Sequence, residues 1–257
     1  MTVFQDLKFQ SKSNQIDLKN EFKSIFITIA PHKNRYSVFS DFIFCMAAAY
    51  RNSINFSEEI EAEYLTVINS YKRSDIEKIC KLFSLTVLIA NSGTPADHLG
   101  LFYSEMNFTS RYQGQFFTPD DLSFLMVQLQ LSNLKSHIEK NNYATISDPA
   151  CGAGSTFMAC IRHCLNSNIN PQESLFIHGQ DIDRVIALMC YVQLCIWHIP
   201  CEICVGDTLR NEQREVWHSP AYHLGHWGHR LSLDRNKQGT GVKTSGINFI
   251  LVGDTYT

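Results

Sequence analysis

The sequence predicts an α/β protein, an open and largely parallel sheet preceded by a helical N-terminal region. Three observations carry that expectation. From about Asp17 to Ser104 apolar residues recur three and four apart, the spacing of amphipathic helices. From about Tyr112 short apolar strands alternate with helix-length stretches, which is how a parallel sheet is built. Acidic residues close three successive strands at Asp148, Asp181 and Asp207, on the rim where open α/β sheets hold ligands.

Composition narrows the class. The 257 residues are 44% hydrophobic and 18% charged, enough for one good-sized core plus an appended segment and too few for three domains. The expected division is residues 1–110, helical, and 111–257, ligand-binding. With 13 Gly and 7 Pro, collagen-like and low-complexity chains are excluded. A net charge of −3 confines any nucleic-acid contact to a local basic patch. The longest apolar candidate, Phe42 to Tyr50, is far short of the roughly 18–20 residues of a membrane span. Met1 to Ser13 is polar, with Asp6, Lys8 and Lys12, unlike a signal peptide. Nine cysteines without an export signal point to reduced thiols in a cytoplasm.

The elements follow in order. Phe56 to Leu65 and Asp75 to Phe83 carry helical spacing, and Ser57 before Glu58 and Glu59 predicts a helix start. Thr118-Pro119 predicts another, with Thr118 capping and Pro119 at the first helical position. Ala144 to Ser147 is the first strand and runs into Asp148-Pro-Ala-Cys-Gly-Ala-Gly-Ser-Thr-Phe157. After a helix, Leu175 to Gly179 forms the second strand, ending at Gln180-Asp181. A helix over roughly Arg184 to His198 leads to a third strand, Glu202 to Val205, ending at Gly206-Asp207-Thr208. An irregular stretch precedes a fourth apolar run, Ile247 to Val252. The sheet is therefore expected to be incomplete at its C-terminal side, its edge completed by a partner chain or second copy, blocked locally, or shortened.

Gly152 and Gly154 occupy the first strand-to-helix turn, where glycine lets backbone approach a ligand closely. A dinucleotide-binding turn wants a third glycine, but Phe157 stands there, and Asp148 would repel a pyrophosphate. An acid at that point suits a cationic group instead. Asp181 is placed like an acid that accepts from ribose hydroxyls, Ile182 beside it is suited to pack on a base, and Asp207 to accept from an exocyclic amine. Together they describe a pocket for a nucleoside carrying positive charge.

At these residues the chain resembles the adenine-N6 DNA methyltransferases, in particular modification subunits of type I restriction systems. Gly114-Gln-Phe-Phe-Thr-Pro119 and Asp148-Pro-Ala-Cys-Gly-Ala-Gly154 carry the likeness, with Gly179-Gln-Asp181 and Gly206-Asp-Thr-Leu209 matching more loosely. The resemblance implies a Rossmann-like methyltransferase sheet and S-adenosylmethionine as cofactor. It assigns Thr118, with Phe117 and Pro119 beside it, and the turn from Cys151 through Gly152 to Gly154 to the methionine moiety. Asp148 would lie near the ammonium, Asp181 with Ile182 at the ribose and base, and Asp207 at the adenine amine. DNA is the implied partner.

The family's catalytic tetrapeptide, Asn/Asp-Pro-Pro-Tyr/Phe, orients and stacks an extruded adenine. Here Gly253-Asp254-Thr255-Tyr256 follows the fourth apolar run. Asp254 is the expected acceptor for the amine and Tyr256 the stacking group. Departure from the tetrapeptide opens a second reading, a cofactor- or DNA-binding protein that modulates another methyltransferase. Ser219-Pro-Ala-Tyr222 resembles a variant of the motif, without a clear apolar strand before it.

Between Leu209 and Gly246, Arg210, Arg214, Arg230, Arg235, Lys237 and Lys243 outnumber Glu212, Glu215 and Asp234, with four histidines and Trp217, Tyr222 and Trp227 interleaved. This suits nucleic acid or, equally, a solvated loop with buried aromatics. Cys201-x-x-Cys204 with His223-x-x-His226 has zinc-like spacing, yet residues three apart on a strand face opposite sides, so no metal is expected there.

Overall fold

The computed structural model describes residues 15–108, 118–239 and 248–250. Five helices come first: α1 (residues 15–26), α2 (Arg35–Asn52), α3 (Glu58–Asn69), α4 (Arg73–Asn91) and α5 (His98–Glu105). Asn34 starts α2 by accepting from the N–H groups of Tyr36 and Ser37. Ser57 starts α3 by accepting from the N–H of Ile60 at 3.4 Å, with Glu58, Glu59 and Glu61 in the first turn, as the sequence predicts. Nine residues of α2 are buried, from Val38 to Ala48, and so many occur only on a helix covered on several sides. Phe22, Phe26, Phe39, Phe42, Phe102, Tyr103 and Phe108 interlock with ring centroids 4.7–6.4 Å apart, many edge to face.

The second region holds α6 (Asp120–Gln130), α7 (Leu134–Asn141), β1 (Ala144–Asp148), α8 (Ser155–Asn166), α9 (Pro171–Ser174), β2 (Leu175–Asp181), α10 (Arg184–Ile196) and β3 (Cys201–Val205). Then come β4 (Glu215–His218), α11 (Pro220–Leu224), α12 (Trp227–Gly239) and β5 (Asn248–Ile250). The sheet order is β4-β3-β2-β1-β5. β1 pairs in parallel with β2 and β5, and β2 with β3, while β4 runs antiparallel along the outer edge of β3. Four of the five strands are those expected from the sequence. β4, α11 and α12 fill most of the stretch read there as irregular. A four-residue strand with only Val216 and Trp217 apolar leaves too little period-two signal to stand out.

The helix after Thr118 also differs by a residue. Pro119, not Thr118, is its N-cap, and no side chain caps it; the Pro119 carbonyl accepts from the N–H of Ser123. Asp120 sits in the first turn and pairs with Arg162 of α8 at 2.6 Å, which fixes α6 against α8.

Pleating sends Ile177, Gly179, Ile203 and Trp217 to one face of the sheet, where Phe157 of α8 and Tyr191 of α10 lie against them. Phe176, His178, Glu202, Cys204 and His218 point to the other, where Phe176 stacks on Trp227 at 5.7 Å. α10 is buried at every residue from Ile186 to Ile196, packed on β2 and β3 on one side and on α2, α4 and α5 on the other. One hydrophobic cluster thus runs from Phe22 to Trp217 through both regions. The expected boundary at 110/111 lies outside the described residues. Among the described residues no helix is long and apolar enough to cross a membrane.

Candidate functional site

The site grows from the carboxyl end of β1. The chain leaves Asp148 through a turn with Gly152 at φ 55° and Gly154 at φ 95°, left-handed values that side chains rarely adopt. A Cβ at Gly154 would lie 2.8 Å from the Cys190 sulfur, so α8 starts tight against α10. A Cβ at Gly152 would meet nothing within 4 Å: the backbone there faces open space.

The neighbouring strand ends are latched to this turn. The N–H of Cys151 donates to the Gln180 carbonyl at 2.9 Å, and that of Gly152 to Asp181 Oδ2 at 3.0 Å. Gly206 donates its N–H to the Asp181 carbonyl at 2.9 Å. The Thr208 hydroxyl donates to the Pro149 carbonyl at 2.6 Å. The ends of β1, β2 and β3, each with its acid, therefore meet on one rim.

The acids differ in what satisfies them. Asp148 is almost fully buried and accepts from the N–H of Ala150 and the hydroxyl of Thr156, both at 3.0 Å. Burial pushes its carboxyl up to about 6 against the pull of those two hydrogen bonds, and Asp181 nearby raises it further. Asp181 is also raised, mainly by burial, although it accepts from Gly152 and Asp183. Asp207 accepts from the N–H groups of Leu209 and Arg210, and the Arg210 Nε stands 3.5 Å away. Two carboxyls held above their ordinary range beside an open glycine form a place where added positive charge would be stabilised. Those carboxylate acceptors fit the ammonium of S-adenosylmethionine, and their charge suits its sulfonium.

Cys151 is buried with its thiol hydrogen-bonded to Cys190, so it supports the turn from below. Ile182 is 61% exposed at the end of β2, open to a ligand's flat face. The Thr118 carbonyl accepts from the Ser155 hydroxyl at 3.3 Å, and Ser155 meets Ser123 at 2.6 Å, fastening the Thr118-Pro119 element to the start of α8. A cavity of about 360 Å³ opens there, lined by Thr118, Pro119, Asp120 and Ser155 with Asp97 and Lys19 of the helical region. The three rim acids do not line it. Phe117, Asp254 and Tyr256 lie outside the described residues.

Gln193, Asp97 and Thr156 shape the site without having been singled out in the sequence. The amide of Gln193, inside α10, donates to the Ala153 carbonyl and to Asp97, each at 2.8 Å. Thr156 left a signal, eight residues past Asp148 and on the first turn of the following helix.

One sequence reading is corrected, the lack of a strand before Ser219, and of the two readings open for residues 209–246 the buried aromatics hold for Trp217 and Trp227. Ser219-Pro-Ala-Tyr222 does follow a strand, β4, but that strand is antiparallel: His218 pairs with Glu202 and Glu215 with Val205. The tetrapeptide variant therefore sits at the end of the sheet away from the acidic rim. Ser219 is wholly buried, donating to the Ile199 carbonyl and accepting from the N–H of Cys201. Trp217 and Trp227 are buried too, with Arg230 over the Trp227 ring at 3.7 Å, so neither offers a free stacking surface.

A largely parallel sheet with a glycine turn after β1 and a carboxylate closing each of three adjacent strands is a Rossmann-like methyltransferase fold. Residues 101–230 match the family described as N-6 DNA Methylase, and the chain belongs to that family. Among solved structures it is similar to a class I S-adenosylmethionine-dependent methyltransferase from Listeria monocytogenes, with 16% identity over 80% of this chain and 56% of that one, at a TM-score of 0.40. It is also similar to the type I restriction-modification system methyltransferase subunit from Streptococcus thermophilus, with 13% identity over 79% of this chain and 59% of that one, at a TM-score of 0.40. The chain thus spans less than two thirds of either relative. No curated protein matches it.

Proposed function

We propose that the protein is an S-adenosylmethionine-dependent DNA adenine-N6 methyltransferase, organised as a helical region (1–110) and a cofactor-binding region (111–257). The observation that carries this reading is the latched rim, where Gly152 donates its N–H to Asp181 and faces open space at the joined ends of β1 and β2. Asp148 would face the ammonium, Asp181 the ribose hydroxyls with Ile182 against the base, and Asp207 the adenine amine. Cys151, Gly152 and Gly154, with Phe117, Thr118 and Pro119, would hold the methionine part. The cofactor supplies an electrophilic methyl group. The protein's task is to hold the N6 amine in line with it and to accept the amine's hydrogens.

β5 is parallel to β1 and beside it, so its carboxyl end belongs to the same rim. That supports Asp254 as the acceptor for the amine and Tyr256 as the ring that stacks on an extruded base. DNA is then the substrate, and a specificity subunit or a second copy is the partner for the β5 edge. The compartment is the cytoplasm.

Gly253-Asp254-Thr255-Tyr256 in place of the family tetrapeptide favours one second reading, a cofactor- or DNA-binding protein that modulates another methyltransferase. Calorimetry with S-adenosylmethionine, beside tritiated methyl transfer to mixed-sequence DNA, separates the two. Binding with incorporation that disappears in Tyr256→Ala supports the enzyme. Binding without incorporation supports the modulator, and no heat at millimolar ligand overturns both.

A further inference from the structure

We propose that His178, Glu202 and Cys204 form a binding site for a divalent transition-metal ion, zinc foremost, on the face of the sheet opposite α10. The register builds it. Ser147 of β1 pairs with His178 of β2, His178 with Glu202 of β3, and Glu202 with His218 of β4, so four polar residues cross four strands in one row. Cys204 follows Glu202 by two residues and so projects from the same face.

The ligand atoms of His178, Glu202 and Cys204 lie within 4.8 Å of one another. His178 Nε2 is 3.6 Å from Glu202 Oε1. That is long for a hydrogen bond and close to the roughly 3.3–3.8 Å separating two ligands of one tetrahedral zinc. Imidazole, carboxylate and thiolate are the three side-chain ligand types zinc takes. The backbone of three adjacent strands fixes their spacing, which no loop has to reorganise.

Each outward ligand already has the orienting partner that metal sites use. His178 Nδ1 meets the Ser147 hydroxyl at 3.2 Å, leaving Nε2 for the ion. His218 Nε2 lies 2.8 Å from Glu202 Oε2, and the His218 ring stacks on Tyr222 at 4.1 Å. His178 and Glu202 side chains are 31% and 29% exposed while Cys204 is buried, which gives an ion a way in and a protected thiolate to hold it. Binding would release the Cys204 proton to solvent, and three protein ligands leave a fourth position for water. The spacing Cys201-x-x-Cys204 pointed toward the wrong companions: Cys201 is committed to Ser219 on the opposite face.

The test uses the untagged full-length chain, stripped with a chelator and titrated with Co²⁺. A thiolate-to-cobalt charge-transfer band should grow to one ion per chain and bleach on adding Zn²⁺. Cys204→Ser should abolish the band, Cys80→Ser, at the exposed cysteine, should keep it, and His178→Gln should weaken affinity at least tenfold. Ser147→Ala should weaken it by about 10- to 100-fold through the orienting hydrogen bond alone. Far-ultraviolet circular dichroism checks that each variant folds, and if Cys204→Ser does not, loss of affinity in His178→Gln decides. A wild-type chain with no saturable band, or a band that survives Cys204→Ser, overturns the proposal. None of these readouts depends on methyl transfer or cofactor binding.

Discussion

Gln193 reaches from the middle of α10 into the glycine turn, its Nε2 2.8 Å from the carbonyl oxygen of Ala153. The same nitrogen donates to Asp97 at 2.8 Å, and the amide oxygen accepts from the N–H groups of His98 at 3.0 Å and Leu99 at 3.3 Å. One buried side chain thereby uses both donor hydrogens and both acceptor positions. It joins the start of α5 to the turn that carries the candidate site.

Removing it should be costly. Gln193→Ala leaves the Ala153 carbonyl without its donor and the Leu99 N–H without its acceptor, takes one donor from Asp97, which still accepts from the Gly100 N–H, and opens a cavity, for a loss of about 2–4 kcal/mol in urea unfolding. Gln193→Glu puts a second acid against Asp97, itself raised by burial. That new carboxyl would hold its proton more tightly in the folded state, so the variant should lose stability as pH rises and recover part of it on acidification. Equal stability of Gln193→Ala and wild type would show the network to be idle.

Asp148 sets a pH dependence of its own. Its folded carboxyl titrates at about 6 against 3.8 for the free group. The native state therefore binds the proton more tightly, and stability falls as pH climbs from about 4 to about 6, then levels off. The full span is at most about 3 kcal/mol. Asp148→Asn, which can still accept from Ala150 and donate to Thr156, should flatten that slope in unfolding curves collected from pH 4 to 7. If the ammonium of the cofactor sits here, calorimetric affinity should strengthen from pH 5 to 7 in the wild type and stay flat in the variant.

The two turn glycines should behave differently. Gly154→Ala meets both a φ of 95° and the Cys190 sulfur at 2.8 Å, so it should destabilise the fold by about 2–4 kcal/mol. Gly152→Ala carries only the left-handed strain, about 1–2 kcal/mol, because its Cβ enters open space. It should fold, yet lose most of its affinity for S-adenosylmethionine, since the methyl occupies the ligand's room. Thermal melts beside calorimetry separate the two outcomes.

Asp181→Ala should weaken cofactor binding by about 1–3 kcal/mol if the ribose hydroxyls donate to it. It should also loosen the turn, because Asp181 accepts from the Gly152 N–H. Asp181→Asn keeps an acceptor for one of the two N–H groups, Gly152 or Asp183, and so disturbs the turn less than Ala does. Unchanged affinity in both would remove Asp181 from the site.

Much of this architecture is written locally. The motif from Asp148 to Gly154 packs strand end, turn and helix start into a few residues, so β1, its turn and α8 are legible, as is the Ser57 cap. What stays hidden depends on pairing across the sheet. Gln193 reads as one more residue in an apolar helix, because Ala153 and Asp97 reach it only in the folded chain. β4 is too short to announce itself, and without it neither the placement of Ser219 to Tyr222 nor the His178, Glu202 and His218 row can be foreseen. Thr118 was one residue early as a cap because its carbonyl is taken by Ser155 and no side chain caps α6.

The burial of α10 on all sides bears on how the chain is made. α2 packs against α10, yet Ile196 is synthesised 144 residues after Asn52. At translation speeds of 5–20 residues per second, that gap is roughly 7–30 s. Throughout that interval the greasy flank of an early helix waits for its cover, and a ribosome-associated chaperone would find its best foothold there.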